Sequence, residues 1–560
     1  MQLLRTNFFV ILLIILISLP FLYILGSNYG PVNDAWVWVS LIDQGSVSVS
    51  KTISKIMNGD INSRLFRILP WLIYSEVNDP NFWTIKASMY LIFIFSFLGV
   101  FSLIKIFLQK QPLTCFLLSI LFSLFPYDGT IMWMGASGVN LSFLFAVWSL
   151  RNIAIGMKNK NSYLFALGLA LGFISFLTYP GHIFLYLAIL GICLLCFSKN
   201  IKHFIFATLS SILAISLAAI PIILELKNGE SRNSAVVNIE GELIFDGFVN
   251  AFNTIFIKAP IDIILPDIEF MLAGFTTSIF VTVIIFFSKY RKPVTEETYQ
   301  PNEFHLFKNI KFLNKLSRSP FILLAIAVVF FIVGYLPYSI SNIRFGVGRE
   351  LLYARSSILV LIIAIISILS QKTAIKKLSS SKVVPIFFAC ILGLIIQEKL
   401  KVASDYRKGS DQVQYFLGEM TRVVPSIQED QRVIVFFEDP QSYEKGFQMV
   451  FNRPQFPLSY LYDTPYNKVA IKPMIASHLM QKNRGVKNIR SLDKLIKVDH
   501  EMDITLVYNS HTGLRELTNY STTVRNQNIT LTGLPGLENV STDPVNLTNR
   551  QARYRNFGNK

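Results

Sequence analysis

The chain has 560 residues, is 52% hydrophobic and 13% aromatic, and carries a formal charge of +17. Its mean hydropathy of +0.46 and charged content of only 16% exclude an ordinary soluble domain, because apolar runs of bilayer length recur along the sequence. The positive charge does not indicate nucleic acid, because most basic residues sit in short loops between apolar runs, where they set membrane topology.

The first apolar run covers residues 7–26 and is followed by no Ala-x-Ala-like cleavage site, so it reads as a retained first span. Later runs fall at 87–108, 112–126, 139–153, 162–179, 181–198, 204–224, 269–288, 319–340, 354–371 and 383–397, giving about eleven spans. With Arg5 cytoplasmic, Lys110, Arg151, Lys158, Lys199, Lys289 and Lys372 all fall in loops on that side. The opposite short loops, 127–138 and 179–182, contain no Lys or Arg. An odd span count then puts everything after about residue 398 outside the cytoplasm. The expected fold is an all-α polytopic membrane domain, 1–397, with outer loops 27–86, 225–268 and 338–353. In the first loop, Val47 to Met57 and Arg64 to Leu72 are expected to lie flat at the interface, with Trp36, Trp38, Trp71 and Trp83 at headgroup depth.

A small extracytoplasmic α/β domain is expected over 398–511, with a helix at Gln412–Val423 and strands at 432–438 and 504–508. Residues 512–560 are polar and rich in Asn, Thr and Gly, which reads as a flexible tail. Its sequons at Asn519, Asn528, Asn539 and Asn546 fit chance occurrence in such a composition. Cys115, Cys193, Cys196 and Cys390 all lie in predicted spans, so the exported parts fold without disulfides. The chain has no Walker loop, no dinucleotide fingerprint and no internal repeat, so ATP-driven transport has no support within it.

Asp34 follows a Gly30-Pro31 turn beyond the first span, beside Trp36 and Trp38. A carboxylate there can accept the proton of an attacking hydroxyl, or it can simply cap a helix beginning at Ala35. Arg64, Arg67, Arg344, Arg349 and Arg355 are expected at the outer face, where guanidinium forks suit phosphate oxygens and equally serve as snorkelling anchors. Asp128 and Trp133 share a loop without cations, and His182 lies in the turn between two spans. These three either assist at the site or are ordinary turn and capping residues. Glu76, Asp79, Asp262, Asp267 and Glu269 read as solvated loop charges.

On Asn33-Asp34, on the stretch Asn62 to Leu72 followed by Asn78 to Trp83, on the Trp-containing stretch Pro126 to Asn140, and on Arg349 to Ser357, the chain resembles the GT-C superfamily of membrane glycosyltransferases. The resemblance implies a polyprenyl-phosphate-linked sugar donor, a glycan, lipid or protein acceptor, a lipid environment and no nucleic acid. It implies Asp34 as the base, the five arginines as donor-phosphate ligands, and Asn33, Trp36, Asp128, Trp133, His182 and Tyr353 as acceptor or sugar contacts. The superfamily's motif is a pair of acids. Here Asn33 replaces the first, so no metal ligand set and no cofactor is implied, and a divalent cation lacks its paired carboxylate. An O-antigen polymerase or ligase, a polysaccharide or lipid transporter or flippase, and an inactive scaffold are the alternatives. Spans nearly free of ionisable residues disfavour transport.

Overall fold

The structure, a computed structural model, describes residues 26, 30–31, 35–43, 48–57, 65–77, 81–107, 112–124, 134–198, 201–227, 241–259, 261, 320–339 and 383–427. It also describes parts of 270–279 and 354–361, then 431–437, 455–463, 470–474 and most of 501–555. The predicted first span and most of those at 269–288 and 354–371 lie outside these residues.

Two short helices, α1 (Ala35–Asp43) and α2 (Val49–Met57), open the described chain, and a tight turn (Leu65–Ile68) leads into α3 (Leu69–Val77). Next come α4 (Trp83–Phe107), α5 (Pro112–Ser123), α6 (Ser137–Asn159), α7 (Ser162–Thr178), α8 (Ile183–Phe197) and α9 (Ile201–Lys227). Further on lie α10 (Gly241–Phe252) and α11 (Pro320–Ser339). Four segments, Trp83–Phe107, Met134–Asn159, Pro180–Phe197 and Ile201–Ile220, are long and apolar enough to cross a membrane. The chain is therefore a membrane protein. Apolar helices at Ser162–Thr178 and Leu324–Ser339 are shorter. The predicted span at 112–126 appears as a helix of 12 residues, below the ~20 that a straight crossing needs.

The α6–α7 hairpin shows how membrane helices cohere without a hydrophobic drive between them. Lys160 takes a left-handed φ of 56° to end α6, and the Asn161 side chain caps α7 by accepting from the Leu164 N–H at 3.0 Å. Beyond the turn the two backbones press together. A Cβ at Gly168 would lie 2.8 Å from the Ile153 nitrogen, and one at Gly156 would lie 2.6 Å from the Phe165 nitrogen. Ser149 Oγ donates to the Gly168 carbonyl at 2.6 Å across that contact.

Helix α12 (Val383–Val423) runs unbroken for 41 residues, about 60 Å. Near its start Leu392, Ile395, Ile396 and Leu400 pack with Phe97 and Phe116 of the helical bundle. Near its end Val413, Phe416, Leu417 and Met420 pack beneath a β-sheet. The boundary placed at residue 398 thus falls inside a rigid rod that joins the membrane helices to the α/β domain.

The sheet contains β1 (Arg432–Phe437), β2 (Ala470–Met474), β3 (Ile504–Asn509) and β4 (Gly513–Glu516) in the order β2-β1-β3-β4. Its centre is parallel, with Val435 opposite Leu506, and β3 turns back antiparallel into β4, with Tyr508 opposite Leu514. Val433 to Phe436 are all buried, as expected of a central parallel strand covered on both faces. Gly513 adopts φ +75° at that hairpin, where a side chain would also meet Glu419. Helix α13 (Gln455–Tyr462) lies between β1 and β2 in the chain.

Two expectations change. Residues beyond 512 do not form a polar tail throughout: β4 completes the sheet, β5 (Tyr520–Val524) pairs with β6 (Gln527–Leu531), and α14 (Asn549–Arg555) buries Tyr554 to 2% exposure. A capping box makes α14 possible. The Thr548 N–H reaches Gln551 Oε1 at 3.0 Å and the Gln551 N–H reaches Thr548 Oγ1 at 3.2 Å. Second, Trp36 and Trp71 are not headgroup anchors, being 2% and 0% exposed. With Tyr74 and Phe82 they share one core with α12, β1 and β3. The first loop folds onto the α/β domain, because that sheet and helix offer it an apolar face to bury.

Candidate functional site

Asn33, Asp34, Arg64, Asp128, Trp133, Arg344, Arg349 and Tyr353 lie outside the described residues. Their surroundings are informative. The chain is fixed on both sides of Asn33 and Asp34. Upstream, Lys86 Nζ of α4 donates to the Gly26 carbonyl at 2.9 Å, and the Gly30 N–H donates to Ser410 Oγ of α12 at 2.8 Å. Downstream, Ala35 is fully buried and Trp36 packs against Phe82 and Tyr460, at ring-centroid distances of 6.5 and 5.5 Å. Along α1 the buried residues Ala35, Trp36, Val39 and Ser40 form one helical face, and Ser40 Oγ bonds Ser459 Oγ of α13 at 3.2 Å.

Arg67 and Arg355 come from distant parts of the chain to the same end of α6. The guanidinium of Arg67 lies 5.8 Å from the centre of the Trp38 ring, which stacks on Trp71 at 6.4 Å. Behind it Arg67 presses on Gly138, where a Cβ would stand 2.2 Å from Arg67 Cγ and 2.6 Å from its carbonyl oxygen. Arg355 is 4% exposed, with its guanidinium 4.4 Å over Phe122. Phe122 in turn stacks on Phe143 of α6, and Ala354 shares a core with Val139. Arg67 is partly buried against the first turn of α6, and Arg355 is buried one turn further along.

His182 belongs to a knot between helices. Its Nε2 lies 2.8 Å from Ser175 Oγ of α7 and its Nδ1 3.4 Å from Ser142 Oγ of α6, while the ring stacks on Phe176 at 5.2 Å. At 3% exposure it reads as a packing residue that also satisfies buried hydroxyls. Above it, Tyr179 and Tyr338 approach hydroxyl to hydroxyl at 3.3 Å, tying the turn to α11.

Sequence reasoning missed three features. Lys86 is 7% exposed and Lys399 is fully buried, although both stand at the edges of predicted spans, where a lysine was not singled out. Asp43 and Arg550, 507 positions apart, form an ion pair between α1 and α14. Burial pushes the Asp43 carboxyl up from 3.8 to about 6, against the attraction of Arg550 and with a further push from Asp463. The Thr548-x-x-Gln551 pattern was the sequence signal for α14. One sequon also has a defined role: Asn539 Nδ2 donates to the Asp503 carbonyl at 2.8 Å, so a glycan there would break a bond that seats the turn on β3.

Among the described residues no group of three or more His, Cys, Asp or Glu is placed to hold a metal ion. No protein-family model matches the chain, and no curated protein or solved structure matches it.

Proposed function

We propose that the protein is a multi-pass membrane glycosyltransferase that moves a sugar from a polyprenyl-phosphate carrier to an acceptor hydroxyl on the extracytoplasmic side. In this reading about eleven spans place the N-terminus in the cytoplasm and the α/β domain outside. The supporting observation is the anchoring of the first loop. The chain on either side of Asp34 is held by α4, α12 and the core that contains Trp36. A carboxylate serving as a base needs such a mount, since a 1 Å error in position is costly to rate.

The step is a direct displacement. Asp34 takes the proton of the acceptor hydroxyl as its oxygen attacks the anomeric carbon. The bond from that carbon to the carrier phosphate breaks, and the phosphate leaves with the electron pair. Arg67 and Arg355 supply positive charge at the outer end of α6 to the departing phosphate, with Arg64, Arg344 and Arg349 as further ligands. A single displacement inverts the anomeric configuration. Transfer from radiolabelled polyprenyl-phosphate sugars in membranes, compared between wild type and Asp34→Asn, tests this reading. Equal transfer by both proteins removes Asp34 from the mechanism.

A transporter reading draws on Lys399, a fully buried cation on α12. It predicts that Lys399→Ala abolishes movement of a lipid-linked substrate while no sugar is transferred by any variant.

A further inference from the structure

Helix α14 makes polar contacts with four parts of the protein that are distant in sequence. The Arg550 guanidinium pairs with Asp43 at the end of α1, reaches Asp463 Oδ1 at 3.4 Å, donates to the Tyr460 carbonyl at 3.1 Å and lies 4.4 Å over the Tyr460 ring. Gln551 Nε2 donates to the Pro425 carbonyl, just past the end of α12, at 2.8 Å. Arg553 donates to Asn81 Oδ1, ahead of α4, at 3.1 Å. Tyr554 stands edge-on to Tyr460 at 6.5 Å, and Tyr460 packs on Trp36. A path of direct contacts thus runs from the C-terminal helix to the residue two places after Asp34.

We propose that Arg550 is a positioning residue for the transfer site: α14 is a clasp that holds α1, the helix that begins one residue after Asp34, on the α/β domain. This rests on the transferase reading for its consequence but not for its geometry. Helix α1 is short, 9 residues, and a helix of that length is marginal in water without tertiary support. Its inner face has the core, while its far end has Arg550. Asp43 is the last residue of α1, so Arg550 acts at the point where an unsupported helix frays first, whether it meets a charged or a neutral oxygen there. Arg550 meets α1, α13 and the 463 turn at once, and a planar fork with five donors can serve all three where an ammonium cannot.

The experiment uses the full chain in lipid nanodiscs, with Arg550→Ala, Arg550→Lys and a chain ending at Leu547. Hydrogen exchange is followed over Ala35–Asp43, with β1 and β3 as internal references, and sugar transfer is measured alongside. The clasp predicts exchange in α1 about tenfold faster or more in Arg550→Ala and in the shortened chain, with β1 and β3 unchanged. It also predicts a lower kcat at unchanged donor KM, and partial recovery of both readouts in Arg550→Lys. Unchanged exchange in α1 overturns the proposal. So does exchange that rises equally in α1, β1 and β3, because α14 would then be ordinary packing. If wild type transfers no sugar while α1 still loosens on loss of Arg550, the transferase reading fails and the clasp stands.

Discussion

Replacing Asp43 with Asn isolates the electrostatics of the clasp. In the folded protein the carboxyl sits at about 6, against 3.8 when unperturbed, because burial outweighs the pull of Arg550. The sign follows from linkage. Between 3.8 and about 6 the folded state binds more protons than the unfolded chain, so Asp43's contribution to stability is fully present below 3.8 and is lost as the pH rises through about 6. At ~1.4 kcal/mol per pH unit, the loss approaches about 3 kcal/mol, an upper figure for a side chain that remains 19% exposed. Asn cannot ionise but still offers Arg550 an oxygen. Asp43→Asn should therefore melt with wild type at pH 4 and several degrees above it at pH 7.5. The assay is thermal unfolding of both proteins in the same detergent across that range, read as the difference between them. A difference that does not grow with pH, or that favours wild type at pH 7.5, would refute the reasoning, because Arg550 would then outweigh burial.

Gly138→Ala puts a methyl 2.2 Å from Arg67 Cγ and 2.6 Å from its carbonyl, so it should destabilise by about 1–3 kcal/mol and disturb Arg67, measured as melting temperature and donor KM. His182→Ala removes a buried ring stacked on Phe176, while Ser142 and Ser175 keep their backbone carbonyl partners, so it should cost about 2–4 kcal/mol through lost packing. Transfer per folded His182→Ala molecule should match wild type, and a selective loss of kcat would return His182 to the site. Arg67→Lys and Arg355→Lys keep the charge but lose the fork, so kcat/KM for the donor should fall by about 1–3 kcal/mol equivalent in each. Unchanged donor kinetics in both variants would take the arginines away from the phosphate.

Long apolar stretches were legible in the sequence because periodicity and length carry the signal: α4, α6, α8 and α9 fall where hydropathy placed spans. The strands at 432–437 and 504–509 were legible for the same reason, as β-branched and aromatic runs. Helix α12 was split in two because Glu398, Lys399 and Lys401 looked like the end of a span, yet no Gly or Pro stands between Leu394 and Lys408 to break it. The burial of Trp36 and Trp71 was not legible, since an aromatic residue in an outer loop fits a headgroup anchor or a tertiary contact equally well. Arg550 was hidden for a different reason: a pair separated by 507 positions leaves no local pattern. Of the proposed site, Arg67 and Arg355 were legible as cations in or next to the predicted loops, but their meeting at α6 depends on the packing of Gly138, Phe122 and Phe143.

The most direct test of the central claim is sugar transfer in nanodiscs from a radiolabelled polyprenyl-phosphate donor, with Asp34→Asn as the paired control. The account predicts label passing to acceptor with wild type, and transfer reduced at least a hundredfold in a variant whose α1 exchanges hydrogen like wild type. Equal transfer by an Asp34→Asn protein with intact α1 would contradict it.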